Sequence, residues 1–116
     1  MNNDEVARRN FLYVTQATEA PIQDAPLSEA AWEFVFGKVW DSQLSYREKR
    51  LISLVCACIS AHQLGFETHV RGALKSGDFS VEDLQAVSVH LAAYAGFPVG
   101  AGFETMLQKV RGDLEM

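Results

Sequence analysis

Residues 44–62 read LSYREKRLISLVCACISAH, and this stretch decides the fold class. Ser45, Tyr46, Arg47 and Glu48 form a capping box, in which the serine hydroxyl and the glutamate carboxylate each take a backbone N–H that the first turn of a helix leaves without a partner. The apolar run behind the box predicts a helix to about His62. Gly65 interrupts it, and Phe66, Val70, Ala73 and Leu74 then share one face of a fourth helix that Gly77 closes as a left-handed cap. Ser80 to Asp83 repeats the cap signature more weakly and opens a fifth helix to about Ala95, expected to pair with the 65–77 segment as a helical hairpin. Downstream, Gly96, Pro98, Gly100 and Gly102 loosen a junction before a sixth helix from about Val99 to Arg111.

Upstream, Ser28 to Trp40 predicts one helix with a wide apolar surface, since Ala31, Phe34 and Val35 fall at helical spacing and Trp32, Phe36, Val39 and Trp40 add bulk. Pro21 and Pro26 mark the loop before it. A first helix spans about Asp4 to Ala17. No alternating run predicts a strand, so the expected fold class is all-α, with about six helices in a single domain covering 1–116.

The chain has 116 residues, 48% hydrophobic and 22% charged, which is the balance of a folded globular domain with room for one core. Its 15 acidic and 10 basic side chains leave a net charge of −5, so its field repels phosphate backbones and anionic membranes. Neither nucleic acid nor a membrane is an expected partner. The first ten residues, MNNDEVARRN, lack the basic and apolar regions of an export signal, and the expected location is cytoplasmic. The uncharged stretches Leu51 to Phe66 and Leu84 to Phe103 are expected to be helices buried on nearly every side, in a core or between subunits.

The two cysteines, Cys56 and Cys58, point about 200° apart on a helix and cannot bridge each other there. Both are read as small apolar core residues. Of the three histidines, His62 falls at a helix end and reads as a cap, while His90 lies one turn before Tyr94 inside the uncharged fifth helix and should need a buried partner. His69 sits on the inward edge of helix four, as a satisfied core group or a site. No short metal-binding motif joins them, so no metal is expected. Glu48 is accounted for by its cap. Arg47, Lys49 and Arg50 are a solvated basic face or the local positive potential for an acid substrate, and Arg71 should pair with Glu67 at i, i+4.

Four segments, FGKVW, LSYREKRLISL, ETHVRGALKSG and HLAAYAGFP, in that order, resemble the carboxymuconolactone decarboxylase family. The resemblance implies an alkylhydroperoxidase D-like helical subunit in a ring-like homo-oligomer, a homotrimer or homohexamer, with sites near subunit interfaces, no cofactor and a role in aromatic catabolism. Peroxidase relatives carry CxxC followed by His. The segment here is CACISAHQLG, so that activity is not carried over. What is carried over is a cofactor-free acid/base enzyme acting on a small lactone or keto acid. His69 is then the general acid or base and Glu48 its orienting or proton-sharing partner. His90 or Tyr94 would donate to the lactone oxygen, Arg47 or Arg71 would hold a carboxylate, and Trp40 would border the substrate. Such an enzyme should show a pH dependence near a histidine pKa. The family's Arg-Pro-Gly-Leu turn is replaced by Trp40-Asp41-Ser42-Gln43-Leu44, which removes a cation from dicarboxylate binding. An isomerase, cyclase or hydrolase on the same fold, or a non-catalytic oligomeric binding protein, are the alternatives.

Overall fold

A computed structural model describes residues 1–116 and shows six α-helices: α1 (Asn3–Thr15), α2 (Pro26–Ala30), α3 (Tyr46–Ile59), α4 (Gln63–Ser76), α5 (Val81–Ala95) and α6 (Phe97–Asp113). The cap signals act as read. Ser45 Oγ accepts from the Glu48 N–H at 3.0 Å while Glu48 Oε1 accepts from the Ser45 N–H at 2.8 Å, and Ser80 and Asp83 exchange the same pair of bonds at 3.0 Å each. Gly77 closes α4 with φ 80°. Pro98 lies in the first turn of α6, where a missing N–H leaves no bond unmade, so that helix begins earlier than expected.

The segment after α2 departs from the expected single helix. Ala31–Phe36 is π-helical, with the Gly37 N–H reaching back five residues to the Trp32 carbonyl at 3.0 Å, and Val39–Asp41 is a 3-10 turn. The cause is tertiary: Asn10 of α1 donates to the Phe36 carbonyl at 2.7 Å, Trp32 donates to Asp4 at 2.9 Å, and Phe11 packs on both Trp32 and Phe36. The wider π turn brings Trp32 and Phe36 onto α1 together.

Helix α5 pairs with α6 rather than with α4, contrary to the expected hairpin. Gly100 allows it. A Cβ there would lie 2.7 Å from both the Ala92 Cβ and the Ser88 carbonyl, so only glycine lets the two helix backbones come this close. The core gathers Leu54 of α3, Phe66, Val70 and Ala73 of α4, Leu84 and Leu91 of α5, and Phe103, Leu107 and Val110 of α6. No helix is long and apolar enough to cross a membrane. Within one chain, however, the two uncharged stretches are not enclosed on nearly every side: Ile52, Ile59, Leu64, Val89, Tyr94 and Phe97 are exposed.

Candidate functional site

The site grows from Arg50, whose side chain is fully buried. It lies one turn before the buried Leu54, on the inward face of α3, and a guanidinium there must have all its N–H groups and its charge answered. Nη1 donates to the Val14 carbonyl at 2.9 Å and Nη2 to the Tyr13 carbonyl at 3.2 Å; Nε meets Asp78 Oδ2 at 3.4 Å. Asp78 also accepts the Tyr13 hydroxyl. Burial, with that carboxylate beside it, pushes Tyr13 up to about 12. Gly72 of α4 supplies the room, because a Cβ there would fall 2.4 Å from the Val14 carbonyl oxygen and 2.7 Å from Nη1.

Nη1 has a second partner, His69 Nδ1, at 3.0 Å. Arginine accepts no hydrogen bond, so Nδ1 must present its lone pair and the proton of the neutral ring sits on Nε2. No side-chain nitrogen or oxygen is buried without a partner, and Arg50 is the one hydrogen-bond partner of the half-buried His69, so Nε2–H keeps some accessible surface. Trp40 is buried against the ring, centroids 5.8 Å apart and nearly parallel. Its turn is pinned by Lys49, which donates to the Trp40 carbonyl at 2.6 Å and the Ser42 carbonyl at 3.2 Å. Burial, then the Arg50 charge, lowers His69 to about 4. The imidazole is therefore neutral at pH 7, an N–H donor backed by a fixed cation, and its titration lies well below the expected range.

The other expected site residues are dispersed. Glu48 is exposed, its carboxylate taken by the Ser45 N–H, a bond that holds it below the usual carboxylate range; the pairing with His69 is not made, because the partner at Nδ1 is Arg50. Arg47 lies over the Phe79 ring and donates to the Asp78 carbonyl at 3.1 Å. Arg71 pairs with Glu67 at 3.3 Å, as its spacing implied, and also with Asp113 at 3.1 Å. His90 is exposed rather than buried, because its position on α5 faces away from α6. It stacks on Tyr94, centroids 4.8 Å apart, along an apolar groove of about 560 Å³ between α3 and α5 that does not include His69. His62 stands between α3 and α4 and makes no side-chain cap bond. Cys56 is exposed and only Cys58 is partly enclosed, since Leu54 faces the core and a residue two positions on points away. Burial raises the Cys58 thiol.

A sequence model of the carboxymuconolactone decarboxylase family matches residues 25–102. The chain belongs to that family. No curated protein matches the chain by sequence. The carboxymuconolactone decarboxylase match takes in Trp40, Arg50, His69, Gly72 and Asp78, whereas all of α1 lies outside it. Sequence reasoning had the centre of this arrangement in His69 but missed Arg50, Asp78, Tyr13 and Gly72. The helical spacing that puts Arg50 near the face of Leu54 holds equally for Arg47, seven residues before Leu54, so it does not single out Arg50, and no signal marks Tyr13 or Asp78, which reach the site only through tertiary packing.

Proposed function

We propose that this family member is a cofactor-free enzyme of decarboxylase type, acting on a small unsaturated lactone or keto acid, with His69 as its electrophile. The supporting observation is the 3.0 Å bond from Arg50 to His69 Nδ1, which leaves a neutral imidazole with an accessible Nε2–H. In such a reaction the bond to the carboxylate carbon breaks, CO2 leaves, and the electron pair moves into the conjugated carbonyl. The Nε2–H then holds the oxygen that becomes negative, and a proton from water closes onto carbon. His69 acts as a hydrogen-bond donor and not as a base, because the one basic lone pair of the neutral ring, at Nδ1, is taken by Arg50. With Arg47 and Arg71 engaged elsewhere, the reading favours a substrate whose one carboxylate is the group that departs.

Purified protein offered γ-carboxymuconolactone and a series of single-carboxylate keto acids and lactones is expected to release CO2 from at least one of them. A folded His69→Ala variant is expected to release none above background, and the wild-type rate should show no inflection near pH 6.5 attributable to His69. Full activity in a folded His69→Ala protein would sink the proposal.

Self-assembly belongs to the same reading. Val89 and Phe97, 71% and 80% exposed, border a groove between α5 and α6, Tyr94, 83% exposed, borders the groove between α3 and α5, and large apolar side chains exposed at grooves are the surface that a partner subunit covers. Light scattering behind gel filtration is expected to give a trimer or hexamer, and a Val89→Lys, Phe97→Glu double variant a smaller species. A wild-type monomer at micromolar concentration would contradict it.

A further inference from the structure

We propose that Arg50 is a positioning residue for His69 and that α1, the helix outside the family match, is the element that holds it. This rests on the reading of His69 as the donor at the reacting oxygen. The last carbonyls of any helix lack intrahelical partners and carry the negative end of its dipole. Helix α1 has no basic residue in its last turn; at that end Arg50 from α3 answers the Val14 carbonyl and shares the Tyr13 carbonyl with the Gln16 side chain, which donates to it at 2.7 Å. The third anchor, Asp78, is itself tied to α1 by the Tyr13 hydroxyl. Tyr13 is braced in turn by stacking on Tyr46 at 4.2 Å, and Tyr46 donates to the buried Asn10.

A guanidinium is planar and its N–H directions are fixed relative to one another. Once two carbonyls and a carboxylate set its plane, the direction of the remaining contact to His69 Nδ1 is set as well. Arg50 thereby selects which ring nitrogen carries the proton, and a ring turned over would lose the bond from Nη1. Lysine would keep the charge but could not span these partners from a single nitrogen.

The test is a long-range proton–nitrogen correlation spectrum of the imidazoles in the 15N-labelled full chain. For His69 at neutral pH the expected form carries its proton on Nε2, with Nδ1 bare. A proton on Nδ1, or rapid exchange between the two forms, overturns the proposal whether or not the protein is active. Arg50→Lys is expected to mix the two forms and to lower kcat by about 10-fold to 100-fold with KM little changed. Tyr13→Phe, which keeps the ring stacking and both carbonyl contacts and removes only the bond to Asp78, should move the His69 signals in the same direction; signals unchanged in Tyr13→Phe would overturn the part of the proposal that runs through the Tyr13 hydroxyl and Asp78. These two readings decide the matter even if Arg50→Lys fails to fold. The expected wild-type spectrum from a protein that turns over no acid would leave Arg50 in its role and reject the decarboxylase reading instead.

Discussion

Gly72→Ala is expected to destabilise the protein by about 3 kcal/mol or more, the upper end of what overpacking a tight interior costs. The added Cβ would lie 2.4 Å from the Val14 carbonyl oxygen and 2.7 Å and 2.8 Å from the two terminal nitrogens of Arg50. Neither neighbour can give way cheaply. The carbonyl belongs to α1, so moving it moves a helix, and the guanidinium is buried and tied to three other groups, so moving it leaves a charge without its partners. Gly65, in the same helix, is the control: a Cβ there meets nothing within 4 Å, and Gly65→Ala should be neutral or gain a few tenths of a kcal/mol from helix propensity. Urea denaturation of the two variants beside the wild type checks both. Equal stability of Gly72→Ala and Gly65→Ala would mean that α1 does not sit on α4 as described.

His69→Gln should change how stability depends on pH. The wild-type imidazole titrates at about 4 when folded, against an ordinary value of 6.5, so between those limits the unfolded chain binds a proton that the folded chain refuses. Stability from this group is complete above about pH 6.5 and is lost as pH falls toward 4, a difference of about 3 kcal/mol across the window. Glutamine can accept from Arg50 but does not titrate, so the variant should lack this slope. Glu48, Glu67 and Asp83 are held below their usual range by hydrogen bonds, so their losses fall at lower pH and leave the upper part of the window to His69. The measurement is the free energy of unfolding of both proteins at several pH values between about 4.5 and 7. Parallel curves would show that His69 is not shielded in the folded chain.

Local chemistry was the legible part of this protein. The boxes at Ser45 and Ser80 and the cap at Gly77 depend on residues at most three or four apart, and the structure uses each as expected. So was the inward placement of His69, because helical periodicity fixes a face. What was not legible depends on partners distant in the chain. The π turn at Ala31–Phe36 follows from Asn10 and Phe11, and the pairing of α5 with α6 from the closeness that Gly100 permits. Arg50 reads in sequence as one of three neighbouring cations; only Tyr13, Val14, His69 and Asp78, arriving from three other segments, distinguish it from Arg47.

The joint between α5 and α6 is a single residue, Gly96 with φ 105°, and these two helices form the most extensive helix pair in the molecule. Contacts between neighbours in sequence close short loops at little entropic cost, whereas those that join positions 13, 50, 69 and 78 must first bring together distant parts of the chain. That difference favours early formation of the α5–α6 pair, while the surroundings of His69 need α1 to dock before they are complete.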